Sequence, residues 1–174
     1  MSIKSFFARP YANVVHRNIK KWSMDAARAQ EFLLHKLINK AKKTAFGKEH
    51  GFNEITSHQE FIKRVPVRDY EALLPYIERI KAGEKDVLWP GVPVYFAKSS
   101  GTTSGVKYIP LTKESIPNHI NTARNALLMY ISENNSAFIN GKMIFLSGSP
   151  ELEKVNGILT GRLSGIVNHH VPKY

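Results

Sequence analysis

The sequence predicts an α/β protein, with helices packed on a mixed or parallel sheet. Three observations carry this. Apolar residues recur at helical spacing in several separate stretches. Two short strand-like segments, Val94–Ala97 and Tyr108–Ile109, fall between those stretches. A continuous apolar run, Met143-Ile144-Phe145-Leu146, has the pattern of a strand buried on both faces, as in a sheet with helices over it.

The elements follow in chain order. Residues 6 to 22 read as a helix with Pro10 near its start. Residues 24 to 45 read as an amphipathic helix with Ser23 as N-cap, Asp25 in the first turn, and a stripe of Leu33, Leu34, Leu37, Ile38, Ala41 and Ala45, ended by Gly47. Ser57 and Glu60 have capping-box spacing, so a short helix begins at His58 and stops before Pro66. Pro75 and Gly83 bracket a further helix, Pro just inside its start and Gly just past its end.

Pro90, Gly91 and Pro93 form a turn-rich lead into the first strand, and a second strand follows at Tyr108-Ile109. Thr112 or Ser115 caps the next helix, whose stripe is Ile116, Ile120, Ala123, Leu127 and Tyr130. Arg124 lies off that stripe. "NGILTGRLSG", punctuated by Gly157, Gly161 and Gly165, reads as a loop or irregular strand, and "NHHVPKY" ends the chain without a closing element.

Composition narrows the function classes. The 174 residues suffice for one domain with a core. There is no cysteine, so neither a disulfide nor a thiolate metal site can form. No apolar run reaches the roughly 20 residues of a membrane span, and no signal-peptide core is present, so a cytoplasmic protein without a membrane partner is expected. The net charge of +11 is uneven: residues 1 to 50 hold 11 Lys/Arg against 3 Asp/Glu (+8), leaving 14 against 11 (+3) for the rest. A basic front end suits an acidic surface or nucleic acid. No nucleic-acid module motif accompanies it, so solvated helix faces are the simpler reading, and a non-catalytic anion- or nucleic-acid-binding module is the alternative function.

The chemistry concentrates in "FAKSSGTTSGVKYIPLT", Phe96 to Thr112. Gly101 and Gly105 tolerate positive φ and let backbone N–H groups turn inward. Ser99, Ser100, Thr102, Thr103 and Ser104 add hydroxyl donors, and Lys107 adds a positive charge. Together these residue types make a cradle for a polyphosphate, although a flexible connection between two strands has the same composition. The pattern is not a Walker P-loop, because three residues rather than four separate the glycines and Val106 precedes the lysine.

"SSGTTSGVK" resembles the first signature of the adenylate-forming superfamily, with Ser104 and Val106 standing where Gly and Pro are usual. With "TAFGKEHGF" and "VPVRDYEALLPYIERIKAGEKDVLWPG" ahead of it, the chain resembles the auxin-responsive acyl-acid amido synthetases and their bacterial members, most closely over residues 24 to 130.

The resemblance implies ATP-dependent activation of a carboxylic acid as an acyl-adenylate, then transfer of the acyl group to an amine such as an amino acid, with Mg²⁺ accompanying the ATP. It places Ser99, Ser100, Gly101, Thr102, Thr103 and Ser104 on the ATP phosphates and Lys107 at the loop's end as an anchor. It offers Arg124 as a candidate for the substrate carboxylate. It makes residues 1–174 the N-terminal part of the adenylation domain, mainly helical over 1–90 and α/β over 91–174 with the phosphate loop at 98–107. The superfamily's later signatures, an adenine loop, a ribose-binding Asp and a catalytic Lys, are not found. The expectation is therefore a piece whose catalytic residues lie downstream of residue 174 and which is inactive alone, the remainder of the enzyme chain being missing.

Other residues carry less. His169-His170 are adjacent and lack a flanking carboxylate, so no metal site is expected. Glu84 and Asp86 have no partner that would make them an acid/base pair. Ser100 lies outside any nucleophile elbow. Trp89 is expected to pack into the core.

Overall fold

The computed structural model describes residues 3–99, 105–134, 140–142, 144 and 146–171. Its elements are α1 (Ile3–Ser23), α2 (Ala26–Ala41), α3 (Ala45–Glu49), a 3₁₀ turn (Phe52–Glu54), α4 (His58–Arg64), α5 (Tyr70–Lys81), β1 (Tyr95–Lys98), β2 (Tyr108–Leu111), α6 (Ile116–Glu133), β3 (Glu153–Val155), β4 (Ile158–Arg162) and α7 (Leu163–Asn168). The sheet has the order β2-β1-β4-β3. β1 and β4 are parallel, and the two outer pairs are antiparallel. The sheet is mixed and helix-covered, as the sequence predicts.

Alternation along β1 sends Phe96 and Ala97 to opposite faces. Phe96, fully buried, joins Tyr76, Ile77 and Ile80 of α5, with Val87 and Ile158. Removing such a ring from water is worth about 3 kcal/mol. Ala97 and Leu111 pack on the other side against Ile166 of α7. Two satellite clusters complete the core. α2 contributes Ile38 and Ala41 to one with Phe52 and Ile55. Ala12 of α1 meets Leu128 and Ile131 of α6 in the other.

The predicted helix over 24 to 45 is two helices. Ser23 ends α1 and hydrogen-bonds back to the Lys20 carbonyl, so it caps nothing ahead. Thr44 makes the break: its hydroxyl donates to the Ala41 carbonyl at 2.7 Å and accepts from Gly47 N–H at 3.0 Å, closing α2 and opening α3. Gly47 lies inside α3 rather than terminating a helix, and the position needs glycine because a Cβ there would strike the Ala41 carbonyl.

The capping box at Ser57 forms, but Glu60 reaches one residue further back and accepts from Thr56 N–H and its hydroxyl. α5 starts five residues before Pro75, because the Asp69 carboxylate accepts from Ala72 N–H at 2.9 Å and caps it. Proline 75 sits inside the helix. Gly83, at φ 90°, follows its end as expected. Arg68, just ahead of α5, donates to Nε2 of buried His50 at 2.8 Å, while His50 Nδ1–H donates to the Phe46 carbonyl. This pair ties α3 to the start of α5.

The α6 stripe is rotated from the predicted one. Ile116, Leu128 and Ile131 are buried, whereas Ala123 and Tyr130 are exposed. Leu128 is the buried member of the Leu127-Leu128 pair, and Leu127 packs partly buried against the same contact with α1.

The run 143–146 departs further. Met143 and Phe145 lie outside the described residues. Ile144 and Leu146 are exposed at 87% and 97% and belong to no strand, because no described strand lies beside them to pair. "NGILTGRLSG", in contrast, is regular. Asn156 (φ 48°) and Gly157 (φ 87°) form the two-residue turn between β3 and β4. β4, buried through Ile158, Thr160 and Gly161, is a central strand. Trp89 is half-buried against the α2 cluster and donates its indole N–H to Glu114 at 3.0 Å.

Candidate functional site

β1 and β2 form a hairpin whose connection is the Ser/Thr/Gly loop. Antiparallel pairing of Lys98 with Tyr108 brings the loop's ends together, and Ser99 N–H donates to the Lys107 carbonyl at 3.1 Å. Gly105, at φ 82°, takes the left-handed turn on the return, a conformation that favours glycine. Ser100, Gly101, Thr102, Thr103 and Ser104 lie outside the described residues.

The loop's position follows from the topology. It leaves the carboxyl end of β1, which runs parallel to β4. In open α/β sheets this end of a parallel pair is where ligands bind. Arg162 closes β4 directly beside Lys98 in the register. It is exposed and has no ion-pair partner among the described residues. Arg162 is a candidate that the sequence alone does not offer, because β4 is not evident in it; the Asn156-Gly157 turn is the signal that could locate the strand. Lys98 itself is paired with Glu153 across the sheet.

Lys107 is held from the side. Its ammonium sits 5.1 Å from the centre of the Tyr70 ring and 3.7 Å from Glu71, both in the first turn of α5. The Tyr70 hydroxyl accepts from Tyr108 N–H at 2.8 Å. The residue after the loop is thereby fixed to a helix whose capping is independent of the loop. Lys107 keeps a third of its side chain exposed. Arg124 is not brought to this site by any bond: it is exposed on α6, and its guanidinium donates to neighbouring Asn125.

A cavity of about 1040 Å³ opens elsewhere, between α2, Trp89 and the start of α6. It lies at the opposite end of β2 from the loop, against Pro110 and Thr112. Glu114 at its wall is held below the usual carboxylate range, first by its bond with Lys40 and then by the Trp89 indole, against the opposing effect of burial. His169 Nε2–H donates to the Pro150 carbonyl and His170 meets the Tyr95 hydroxyl. Among the described residues no three His, Cys, Asp or Glu side chains are grouped to hold a metal. Glu84 is bonded to Arg79 by two charge-assisted contacts.

Residues 15–172 match the family described as the GH3 family N-terminal domain. The chain belongs to the GH3 family. Similar curated proteins carry the same stamp. Jasmonoyl–L-amino acid synthetase JAR4 of Nicotiana attenuata is 28% identical over 140 residues, 79% of this chain and 24% of that protein. Indole-3-acetic acid-amido synthetase GH3.15 of Arabidopsis thaliana is 33% identical over 135 residues, 75% of this chain and 22% of that protein. Among solved structures, AtGH3.15 acyl acid amido synthetase in complex with 2,4-DB shares the fold at a TM-score of 0.81 and 23% identity, over 91% of this chain and 28% of that one. The resemblance read from the loop and its two flanking blocks is therefore membership of the GH3 family, and the chain spans about a quarter of the length of the curated relatives it matches.

Proposed function

We propose that this chain supplies the ATP-phosphate grip of an acyl-acid amido synthetase, an enzyme that adenylates a carboxylic acid and passes the acyl group to an amine such as an amino acid. The observation that carries the reading is the loop's base: Ser99 bonded to Lys107 at the carboxyl end of a parallel strand. The names of its GH3 relatives support the same chemistry.

Attack of a carboxylate on the α-phosphate expels pyrophosphate, whose charge must be neutralised as it departs. The Ser99 hydroxyl, and the backbone N–H groups and hydroxyls from Ser100 to Ser104, are the donors proposed to do this, with Lys107 at the rim; the Ser99 N–H is already given to the Lys107 carbonyl. Between Ser99 and Lys107 the sequence has no carboxylate. That donor set suits phosphate oxygens and offers no anionic ligand to a cation, so Mg²⁺ belongs with the ATP phosphates. When bound there, it shares their charge. Arg124 remains a proposed contact for the acid's carboxylate.

Titration of the chain with Mg·ATP, followed calorimetrically, tests the reading. Thr102→Ala with Thr103→Ala is expected to weaken binding about tenfold, through loss of charge-assisted hydrogen bonds. Unchanged affinity contradicts the grip. With no adenine loop, ribose Asp or catalytic Lys signature in these residues, acid-dependent ATP–pyrophosphate exchange by the chain is expected at background. Measurable exchange would overturn that part.

A further inference from the structure

Three strands bring basic side chains to one end of the sheet. The register pairs Lys98 with Tyr108 of β2 on one side and with Arg162 of β4 on the other, so the three form a row across β2, β1 and β4. Ser99 follows Lys98 and Lys107 precedes Tyr108. The base of the Ser/Thr/Gly loop therefore lies between two cations on neighbouring strands, Lys107 and Arg162. Their backbones are separated by two strand spacings, about 10 Å.

The lysines at this end are already matched with carboxylates. Lys98 pairs with Glu153 and Lys107 with Glu71. Lys81, whose ammonium lies 4.7 Å from the centre of the Tyr108 ring, pairs with Glu78. Arg162 is exposed and joins no ion pair among the described residues. Its stem is held in place all the same. Gly148 lies against it, its N–H donating to Ser164 Oγ at 2.9 Å. A Cβ on Gly148 would come within 3.0 Å of Arg162 Cδ and 3.3 Å of Arg162 Cβ. The absence of a side chain at Gly148 thus makes room for the root of Arg162, while the guanidinium is uncommitted.

We propose that Arg162 binds phosphate oxygens of the nucleotide from the β4 side of the loop, opposite Lys107. A guanidinium presents its N–H donors as a planar fork that takes two phosphate oxygens at once, whereas an ammonium acts as a point charge. The charge of Lys107 is shared with Glu71, so Arg162 supplies the uncompensated positive charge that a departing pyrophosphate needs. The acid's carboxylate is the less favoured anion, because Arg162 stands beside the strand end that carries Ser99, the first of the proposed phosphate donors. The proposal rests on the nucleotide reading above and adds to it a contact from a third strand.

Calorimetric titration of the full chain with Mg·ATP, and separately with tripolyphosphate, tests it. Arg162→Met keeps an unbranched stem and deletes the guanidinium. It is expected to bind both ligands about tenfold more weakly, with an unchanged urea midpoint because the side chain is exposed. Arg162→Lys keeps the charge without the fork and is expected to fall between Arg162→Met and the parent. Lys154→Met, exposed on β3, is expected to bind as the parent does. Parent-like affinity for both ligands in Arg162→Met overturns the proposal and leaves the nucleotide reading standing. Equal loss in Lys154→Met, or loss that comes only with a lowered urea midpoint, overturns it too. A parent that binds tripolyphosphate but not Mg·ATP, with the tripolyphosphate lost in Arg162→Met, upholds the Arg162 contact and overturns the nucleotide reading. A parent that binds neither overturns both.

Discussion

The hydroxyl of Tyr70 accepts a hydrogen bond from Tyr108 N–H at 2.8 Å, joining the first residue of α5 to the first residue of β2. The two are 38 residues apart in sequence, and the bond fixes the point where the Ser/Thr/Gly loop returns to the sheet. Tyr70→Phe keeps the ring under Lys107 and removes only the acceptor. Urea denaturation is expected to show a loss of about 1 kcal/mol, the cost of a partly buried N–H left unpaired. No change would mean that the amide finds another partner.

Lys107 separates two roles that one side chain can play. Lys107→Met preserves an unbranched apolar stem across the Tyr70 ring and deletes the charge. Stability is expected to change by less than about 0.5 kcal/mol, since the contact with Glu71 is an exposed pair. Affinity for Mg·ATP is expected to fall several-fold. Reduced stability at unchanged affinity would make Lys107 a brace for the loop and remove it from the phosphate contacts.

Two glycines are expected to fail for different reasons and by different amounts. Gly157→Ala meets open space, and only its φ of 87° opposes a side chain. Thermal or urea unfolding should show a cost of about 1 kcal/mol. At Gly47 the new Cβ runs into the Ala41 backbone, which cannot move without opening the α2–α3 junction. There the cost should reach about 3 kcal/mol. The reverse order would contradict the account of the Thr44 break.

Acid stability follows from three surface carboxylates held below their ordinary range. Glu60 is held by Thr56 N–H and then its hydroxyl, Glu84 by Arg79, and Glu114 by Lys40 and then Trp89. A depressed folded pKa contributes stability above the unfolded value, and that contribution is lost as pH falls through the folded one. The urea midpoint is therefore expected to be level from about pH 7 to 5 and to decline below about 4.3, the unperturbed Glu value. Glu60→Gln should reduce that decline. A midpoint that rises on acidification would contradict the sign.

What could be read from the sequence was local. The Ser57 cap, the Gly83 stop and the Ser/Thr/Gly loop between two strands each depend on a few neighbouring residues, and each stands in the structure within a residue or two. β4 was obscured because Gly157, Gly161 and Gly165 read as punctuation, while its burial comes from parallel pairing with β1, some 60 residues away. The run around Ile144 misled in the opposite sense: an apolar sequence states a preference for burial but cannot supply the strand that satisfies it. At the candidate site, Lys107 could be named from its spacing after the loop. Tyr70, which bonds Tyr108 N–H, and Arg162, beside Lys98 in the strand register, could not, because each is placed there only by the tertiary fold.

Competition among phosphates tests the central claim most directly. With labelled Mg·ATP bound to the chain, tripolyphosphate and pyrophosphate are expected to displace it and adenosine to leave it in place, because the proposed contacts fall on the phosphate chain. Displacement by adenosine with no effect of tripolyphosphate, or no bound ATP to displace, would contradict it.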